Sequence, residues 1–136
     1  MGRTSLCCAA AAALCAALIA GCGGGSSSGS GSPQEAARAY VEARNQGDAG
    51  KVCELYSAQL IQRLHAANCE AFVREQTSGI ATSLSLVGVQ RNGDRATATI
   101  TSSVAGQGGR AGRLRITLER RGDEWKITGL GAGSGD

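Results

Sequence analysis

The amino-terminal quarter of this 136-residue chain almost lacks charge, since Arg3 is the only charged residue before Glu35. After Arg3 comes an apolar run from Leu6 to Ala20, which is followed by Gly21. A helix that crosses a bilayer needs about 20 apolar residues, whereas this run has only about 15. One positive charge, a short apolar run and small residues are typical of an export signal that is removed. The pattern argues against a permanent spanning helix at this place.

Motifs for binding metals and phosphates are also absent from the sequence. The chain has one histidine, His65, and neither Cys53 nor Cys69 belongs to a Cys-x-x-Cys pair, so the ligand pattern of a zinc site is missing. The glycine-rich stretch from Gly106 to Gly112 lacks the Gly-Lys-Ser/Thr signature of a phosphate-binding loop. We therefore predict no metal and no cofactor, and we interpret His65 as a surface or helix-cap residue.

The charge of the chain is nearly balanced, with 14 lysines and arginines against 11 aspartates and glutamates. This balance argues against nucleic acid as a partner, because domains that bind nucleic acid carry a strongly basic footprint. Five arginines nevertheless cluster around one predicted hairpin: Arg110, Arg113, Arg115, Arg120 and Arg121. The cluster is either a solvated sheet face that discourages edge pairing, or a basic surface that meets anionic lipid or an acidic partner.

The apolar run ends in Leu18-Ile19-Ala20-Gly21-Cys22, a motif that resembles the lipobox of bacterial lipoproteins. In that family the cysteine thiol receives a diacylglyceryl group and the peptide before it is cut off. The resemblance implies that residues 1–21 are a signal peptide and that Cys22 is lipidated. It also implies that the protein is held on the extracytoplasmic face of the cell membrane, where two or more acyl chains make a firm anchor. The alternative is a chance cysteine after an ordinary signal peptide.

The residues after the lipobox divide the mature chain into three parts. Residues 22–32 contain only glycine and serine after Cys22, a composition that is typical of a flexible linker. Residues 33–130 are long enough for one domain with a single core. Residues 131–136 are predicted to be a flexible tail.

Two cysteines remain after the signal peptide and Cys22 are set aside, namely Cys53 and Cys69. An exported protein lies in a compartment where disulfides form and persist, so two leftover thiols are expected to pair. We predict a disulfide between Cys53 and Cys69. A metal or redox site is the alternative.

The first half of the domain carries the signals of successive helices. Ser32, Pro33 and Glu35 form a capping-box pattern, and Gly47 is placed to end the helix that they begin. Tyr40 and the alanines before it recur at helical spacing. Asp48 and Asn68 are predicted to cap two further helices, and Ser57 or a residue near it is predicted to start another turn between them.

After Gly79 the spacing of apolar residues changes to two, which is typical of strands. Asn92-Gly93 and Gly122-Asp123 are placed to form tight turns between strands. The following residues are predicted to face the core, after a first apolar position at Ile80: Leu84, Leu86, Ala98, Ile100, Leu114, Ile116, Leu118, Trp125 and Ile127. The sequence therefore predicts an α+β fold in which amino-terminal helices pack on a four-stranded antiparallel sheet.

The segment EAARAYVEARNQGDAGKVCELYSAQLIQRL and the late GDEWKITGL strand are similar to the nuclear transport factor 2-like superfamily, in particular to small exported lipoprotein-type domains. The resemblance covers Glu35 to Leu130. It implies a curved sheet that wraps a helix into a cone with a pocket at its open end. The residues that would line this pocket are Tyr40, Tyr56, Leu64, Phe72, Ile100, Ile116 and Trp125. The alternative is that these side chains form the core.

Enzymes of that superfamily place an aspartate or histidine base inside the cone. The predicted inward strand positions contain no ionisable residue, and general acid–base catalysis needs one near the substrate. We therefore predict no catalytic residue, and a membrane-anchored domain that binds a small apolar ligand or an envelope protein. Two alternatives remain open: a cyclase- or isomerase-type enzyme, which rests on fold analogy alone, and a spacer that forms a homodimer through the sheet.

Overall fold

The computed structural model describes residues 31–78, 82–106 and 111–133. The predicted signal peptide, the predicted lipidation site Cys22 and most of the predicted linker lie outside these residues, as do Ile80, Arg110 and the last three residues of the predicted tail. Within the described ranges, no helix has the length and apolar character needed to cross a membrane.

Helix α1 (Pro33–Gln46) begins and ends at the predicted residues. The Ser32 hydroxyl accepts a hydrogen bond from the Glu35 amide at 3.2 Å, and the Glu35 carboxylate accepts one from the Ser32 amide at 3.1 Å. These two bonds satisfy backbone donors that have no partner inside the helix. Gly47 ends α1 with a φ of 71°, a left-handed conformation that suits glycine.

Three short helices follow: α2 (Ala49–Leu55), α3 (Ala58–Arg63) and α4 (Cys69–Thr77). Helices α2 and α4 begin after the predicted caps Asp48 and Asn68, and α3 begins after Ser57, where a new turn is predicted. All three side chains accept hydrogen bonds from backbone amides in the first turn of their helix. The predicted disulfide is present between α2 and α4, where the Cys53 and Cys69 sulfur atoms are 2.09 Å apart. It ties two helices that are too short to be stable alone.

The second half forms one curved antiparallel sheet in the order β1-β2-β3-β4. Its strands are β1 (Thr82–Asn92), β2 (Arg95–Val104), β3 (Ala111–Arg121) and β4 (Glu124–Ala132). The two predicted turns join β1 to β2 and β3 to β4, with a φ of 61° at Gly93 and 64° at Gly122. Irregular pairing at Leu86/Gly88 and at Thr117/Leu118 marks two bulges, which bend strands. Strand β4 continues two residues past Leu130.

The core lies between the helices and one face of the sheet, which we call the inner face. Alternate residues of each strand point to this face, so the predicted apolar positions meet the apolar side of α1. Most are fully buried, including Ile100, Ile116 and Leu118, while Leu86 and Leu114 are partly buried against the cluster. The predicted fold is therefore confirmed: helices pack on a four-stranded antiparallel sheet.

Both edges of the sheet receive partners from the helical half. At β4, the Ser57 amide donates to the Ile127 carbonyl at 2.9 Å, and the Lys126 ammonium donates to the Glu54 carbonyl at 2.8 Å. At β1, the side chain of Asn45 accepts from the Leu84 amide at 2.8 Å and donates to the Leu84 carbonyl at 3.0 Å. The bonds from Ser57 and Asn45 satisfy backbone groups that an uncovered edge leaves unpaired, while the Lys126 bond joins β4 to the end of α2.

Candidate functional site

The space between α1 and the inner face is where the resemblance implies a pocket. Five of the seven predicted lining residues are buried there: Tyr40, Tyr56, Ile100, Ile116 and Trp125. Leu64 and Phe72 are partly buried and pack against the same cluster. These side chains contact one another as a core, and pocket lining stays a prediction for them.

Two tyrosines from different elements meet inside this core. Tyr40 comes from α1 and Tyr56 follows the end of α2, and their ring centroids are 6.2 Å apart. The Tyr56 hydroxyl is buried and has no hydrogen-bond partner among the described residues. Burial raises the pKa of Tyr56 well above its usual value, the neighbouring Tyr40 raises it further, and Arg44 acts in the opposite direction. The phenol is therefore neutral near pH 7 and does not supply a base.

Arg44 links the tyrosine pair to an open cleft at the carboxyl end of α1. Its guanidinium lies 6.0 Å from the centre of the Tyr40 ring, in cation–π range. The cleft has a volume of about 350 Å³, which is within the range of small-molecule sites. Its lining residues are Arg44, Asn45, Gln46, Gly47, Gln76, Thr77, Thr82 and Leu84. A half-buried cation, amides and hydroxyls suit a polar or anionic group better than an apolar one.

The opposite end of the core is closed by a second arginine. The Arg91 guanidinium lies 5.1 Å from the centre of the Trp125 ring, and its Nε donates to the Gly93 carbonyl at 2.9 Å. The contact covers the indole at the hairpin end of the inner face. Neither Arg44 nor Arg91 is predicted from the sequence as a site residue, although Arg44 recurs at helical spacing with Tyr40. Arg44 follows Tyr40 by four residues on α1, a spacing that places both on one side of the helix, but no local signal marks Arg91.

The groups that catalysis or metal binding requires do not converge in the described part of the chain. Its buried polar side chains are Ser57 and Thr128, so no carboxylate or imidazole is buried there. The described residues contain no group of three or more histidines, cysteines, aspartates or glutamates that could hold a metal ion. His65 is exposed at the end of α3, where it has a φ of 51°.

Two further clefts lie beside α3. One of about 220 Å³ is lined by Tyr56 through Gln59 together with Arg121 and Lys126. Another of about 450 Å³ is lined by Gln59, Arg63, Arg95, Thr117, Glu119, Thr128 and Gly129. The charges of the second cleft are mixed, because Glu119 pairs with Arg95 at 3.2 Å. In the first cleft, Arg121 pairs with Glu119 and Lys126 pairs with Glu124, whereas Arg63 in the second cleft donates to the Thr128 carbonyl.

Comparison with known proteins shows the fold. No protein-family model and no curated protein matches the chain. The solved structure named Rd1NTF2_04, with a long sheet, is 17% identical, and the match covers 75% of this chain and 100% of the other, with a TM-score of 0.60. A nuclear transport factor 2-like protein of unknown function from Shewanella baltica is 13% identical over 75% of this chain and 91% of its own, with a TM-score of 0.52.

A third similar structure comes from Streptomyces avermitilis and is described as a candidate dehydratase of the nuclear transport factor 2-like family. It is 16% identical, and the match covers 73% of this chain and 91% of the other, with a TM-score of 0.54. At these identities the likeness concerns the arrangement of helices and strands. The domain therefore has a nuclear transport factor 2-like fold, as its sequence predicts.

Proposed function

We propose that this chain is an exported bacterial lipoprotein, anchored through Cys22 to the extracytoplasmic face of the cell membrane, whose domain binds a partner and catalyses no reaction. The anchor is supported by the Leu18-to-Cys22 motif and by the glycine- and serine-rich residues that follow it. The non-catalytic role is supported by one observation above all. In the described chain, the core between α1 and the inner face is packed with apolar side chains and holds no carboxylate or imidazole.

The enzymatic alternative requires a proton-accepting side chain, and the described core contains none that titrates near neutral pH. A cyclase or isomerase moves a proton, and the group that accepts it must titrate near the working pH. The buried phenol of Tyr56 has a raised pKa and stays protonated. A likeness to a candidate dehydratase at 16% identity concerns the fold and does not change this argument.

The surface is the better place for a partner than the interior of the cone. A small apolar ligand would need the space that Tyr40, Ile100 and Trp125 occupy. The cleft at Arg44 is open, and its polar lining fits a polar or anionic group of a small molecule or of an envelope protein. Homodimerisation through the sheet stays a prediction.

The anchor is tested by Cys22→Ala. We expect the wild-type chain in the membrane fraction with fatty acid on Cys22, and the variant in the soluble fraction or as the uncleaved precursor, because the acylated thiol is missing. Mass spectrometry of the natively extracted protein detects the acyl group on Cys22. Unchanged fractionation of the variant, or a wild-type Cys22 without fatty acid, would refute the anchor.

The binding role is tested on the same extract by mass spectrometry of the material that co-purifies with it. We expect the partner to co-purify with the wild type and with the control variant Arg38→Gln, which changes an exposed residue of α1. We expect it to be lost from Arg44→Gln. A partner that both variants retain equally would exclude the Arg44 cleft as its site.

A further inference from the structure

We call the face of the sheet that points away from the helices the outer face. It carries two arginines that are surrounded by serine and threonine side chains. Arg113 and Arg115 of β3 are exposed there, and their partners across β2 are Thr101 and Thr99. The hydroxyl row continues onto β1, because Ser85 pairs with Thr101 and Ser83 pairs with Ser103. We call these residues the arginine–hydroxyl surface: Ser83, Ser85, Thr99, Thr101, Arg113 and Arg115.

The positive charge of this surface is not neutralised by neighbouring side chains. Neither Arg113 nor Arg115 forms a salt bridge with another residue in the part of the chain that the structure describes. The acidic residue of β3, Glu119, is already paired with Arg95 and with Arg121, each at 3.2 Å. The two arginines are therefore free to bind an anion from outside.

Charge is also distributed unevenly between the two layers of the domain. The described residues of the sheet half, 82–106 and 111–133, carry seven basic and four acidic side chains. The helical half, residues 31–78, carries five basic and six acidic side chains. An anionic surface therefore attracts the sheet side of the domain and slightly repels the helical side.

We propose that the arginine–hydroxyl surface docks onto the anionic headgroups of the membrane that holds the chain, a proposal that rests on the anchor at Cys22 described above. A guanidinium presents a fork of donors that matches the oxygens of a phosphate group. The Thr101 hydroxyl already donates to the Ser85 carbonyl at 3.4 Å, and the hydroxyls of Ser83, Ser85 and Thr99 can donate to the remaining oxygens. A broad sheet face presents these donors together to a membrane plane, so both arginines can reach headgroups at once.

The linker is long enough to allow this orientation. The chain enters the domain at Ser32, at the start of α1, which packs on the inner face. The outer face lies on the other side of the sheet, about one packing layer or about 10 Å away, and the linker must pass around an edge of the sheet to reach it. Ten residues of glycine-rich linker reach about 20 Å on average. The tether accordingly permits either side of the domain to face the bilayer, and the charge distribution selects the sheet side.

The test uses the full lipoprotein from its host, reconstituted into vesicles of phosphatidylcholine alone or of phosphatidylcholine mixed with phosphatidylglycerol. Phenylglyoxal modifies accessible arginines, and mass spectrometry of peptides gives the rate at each one. We expect modification of Arg113 and Arg115 to be at least about fivefold slower in the anionic vesicles, since one arginine near an anionic surface favours docking by about that factor. Arg38 and Arg74 on the helices serve as internal controls and should react equally in both. High salt should abolish the difference.

A substitution separates docking from a change in folding. Arg113→Gln should weaken the protection of Arg115 about fivefold, whereas Arg38→Gln, which removes the same charge from α1, should leave that protection intact. Equal rates at Arg113 and Arg115 in both kinds of vesicle would overturn the docking. Protection in both kinds that grows with protein density would also overturn it, because a second copy of the chain would then cover the surface. Lipidation is measured separately, by detecting fatty acid on Cys22, so a failure of the anchor and a failure of the docking can be distinguished.

Discussion

Tyr56 is a residue whose burial carries a cost in free energy. Its hydroxyl is enclosed in the core without a hydrogen-bond partner among the described residues, and an unpaired buried donor costs about 1–3 kcal/mol. We expect Tyr56→Phe to raise the free energy of unfolding by about 1 kcal/mol in urea titrations. Tyr40→Phe is the matched control and should give no such gain. A loss of stability in Tyr56→Phe would mean that the Tyr40 hydroxyl, a water molecule or a ligand satisfies the Tyr56 hydroxyl.

The same residue predicts how stability depends on alkaline pH. The pKa of Tyr56 is raised in the folded state, so the folded protein keeps the phenolic proton at a pH where the unfolded chain, with a pKa of about 10, releases it. The contribution of Tyr56 to the free energy of unfolding is therefore fully present below about pH 10. It is lost as the pH rises above about 10, with a slope of up to about 1.4 kcal/mol per pH unit. Urea titrations between neutral pH and pH 11 should show this slope in the wild type, and Tyr56→Phe should reduce it. Equal slopes in the two proteins would contradict the assignment.

Asn45 shows how a single side chain joins two elements. It extends from α1 to the edge strand β1 and makes two hydrogen bonds to the backbone of Leu84. Asn45→Ala should lower the free energy of unfolding by about 2 kcal/mol, since two bonds are lost and both backbone groups are left unpaired. Urea unfolding measures the loss, and hydrogen exchange at the Leu84 amide should become faster.

The neighbouring residue provides the control for this experiment. Among the described residues, the Gln46 side chain bonds only to Glu42 of its own helix, and it is exposed. Gln46→Ala should therefore change stability by no more than about 0.5 kcal/mol. If the two variants were equally stable, the link between α1 and β1 would contribute nothing.

At the scale of the whole molecule, the disulfide acts on the unfolded chain as much as on the folded one. It closes a loop across a sequence separation of 16 residues between α2 and α4. A loop of this length removes chain entropy from the unfolded state that is worth about 3 kcal/mol. We expect Cys53→Ala/Cys69→Ala, or reduction of the wild type, to lower the free energy of unfolding by about that amount. Stability that does not respond to reductant would mean that the bridge does not form in the native protein.

The local features of the fold could be predicted because their causes lie within a few residues. Ser32 and Glu35 cap α1 through contacts three residues apart, and Gly93 turns the chain because glycine adopts a positive φ without strain. The alternation that places Ile100 and Ile116 on one face is likewise a property of neighbouring positions. The disulfide was predicted from the number of cysteines left for it, and the structure brings those two together.

The candidate site was less predictable because it depends on contacts between distant residues. Arg91 and Trp125 are 34 positions apart in the sequence. They lie on the two edge strands, β1 and β4, and meet only because the sheet is curved. Asn45 reaches Leu84 across 39 positions. Neither pair has a local pattern that would reveal it, since both depend on how α1 and the strands pack.

The sequence by itself determined the order of helices and strands, the apolar face of each one and the two cysteines that pair, because period, caps and turn residues act over short distances. Tertiary structure alone decided that the inner face is packed by Tyr40 and Trp125, that the Tyr56 hydroxyl has no partner among the described residues, and that Arg44 borders an open cleft. Packing decides such features because the space left between elements depends on the volumes of side chains from several parts of the chain at once.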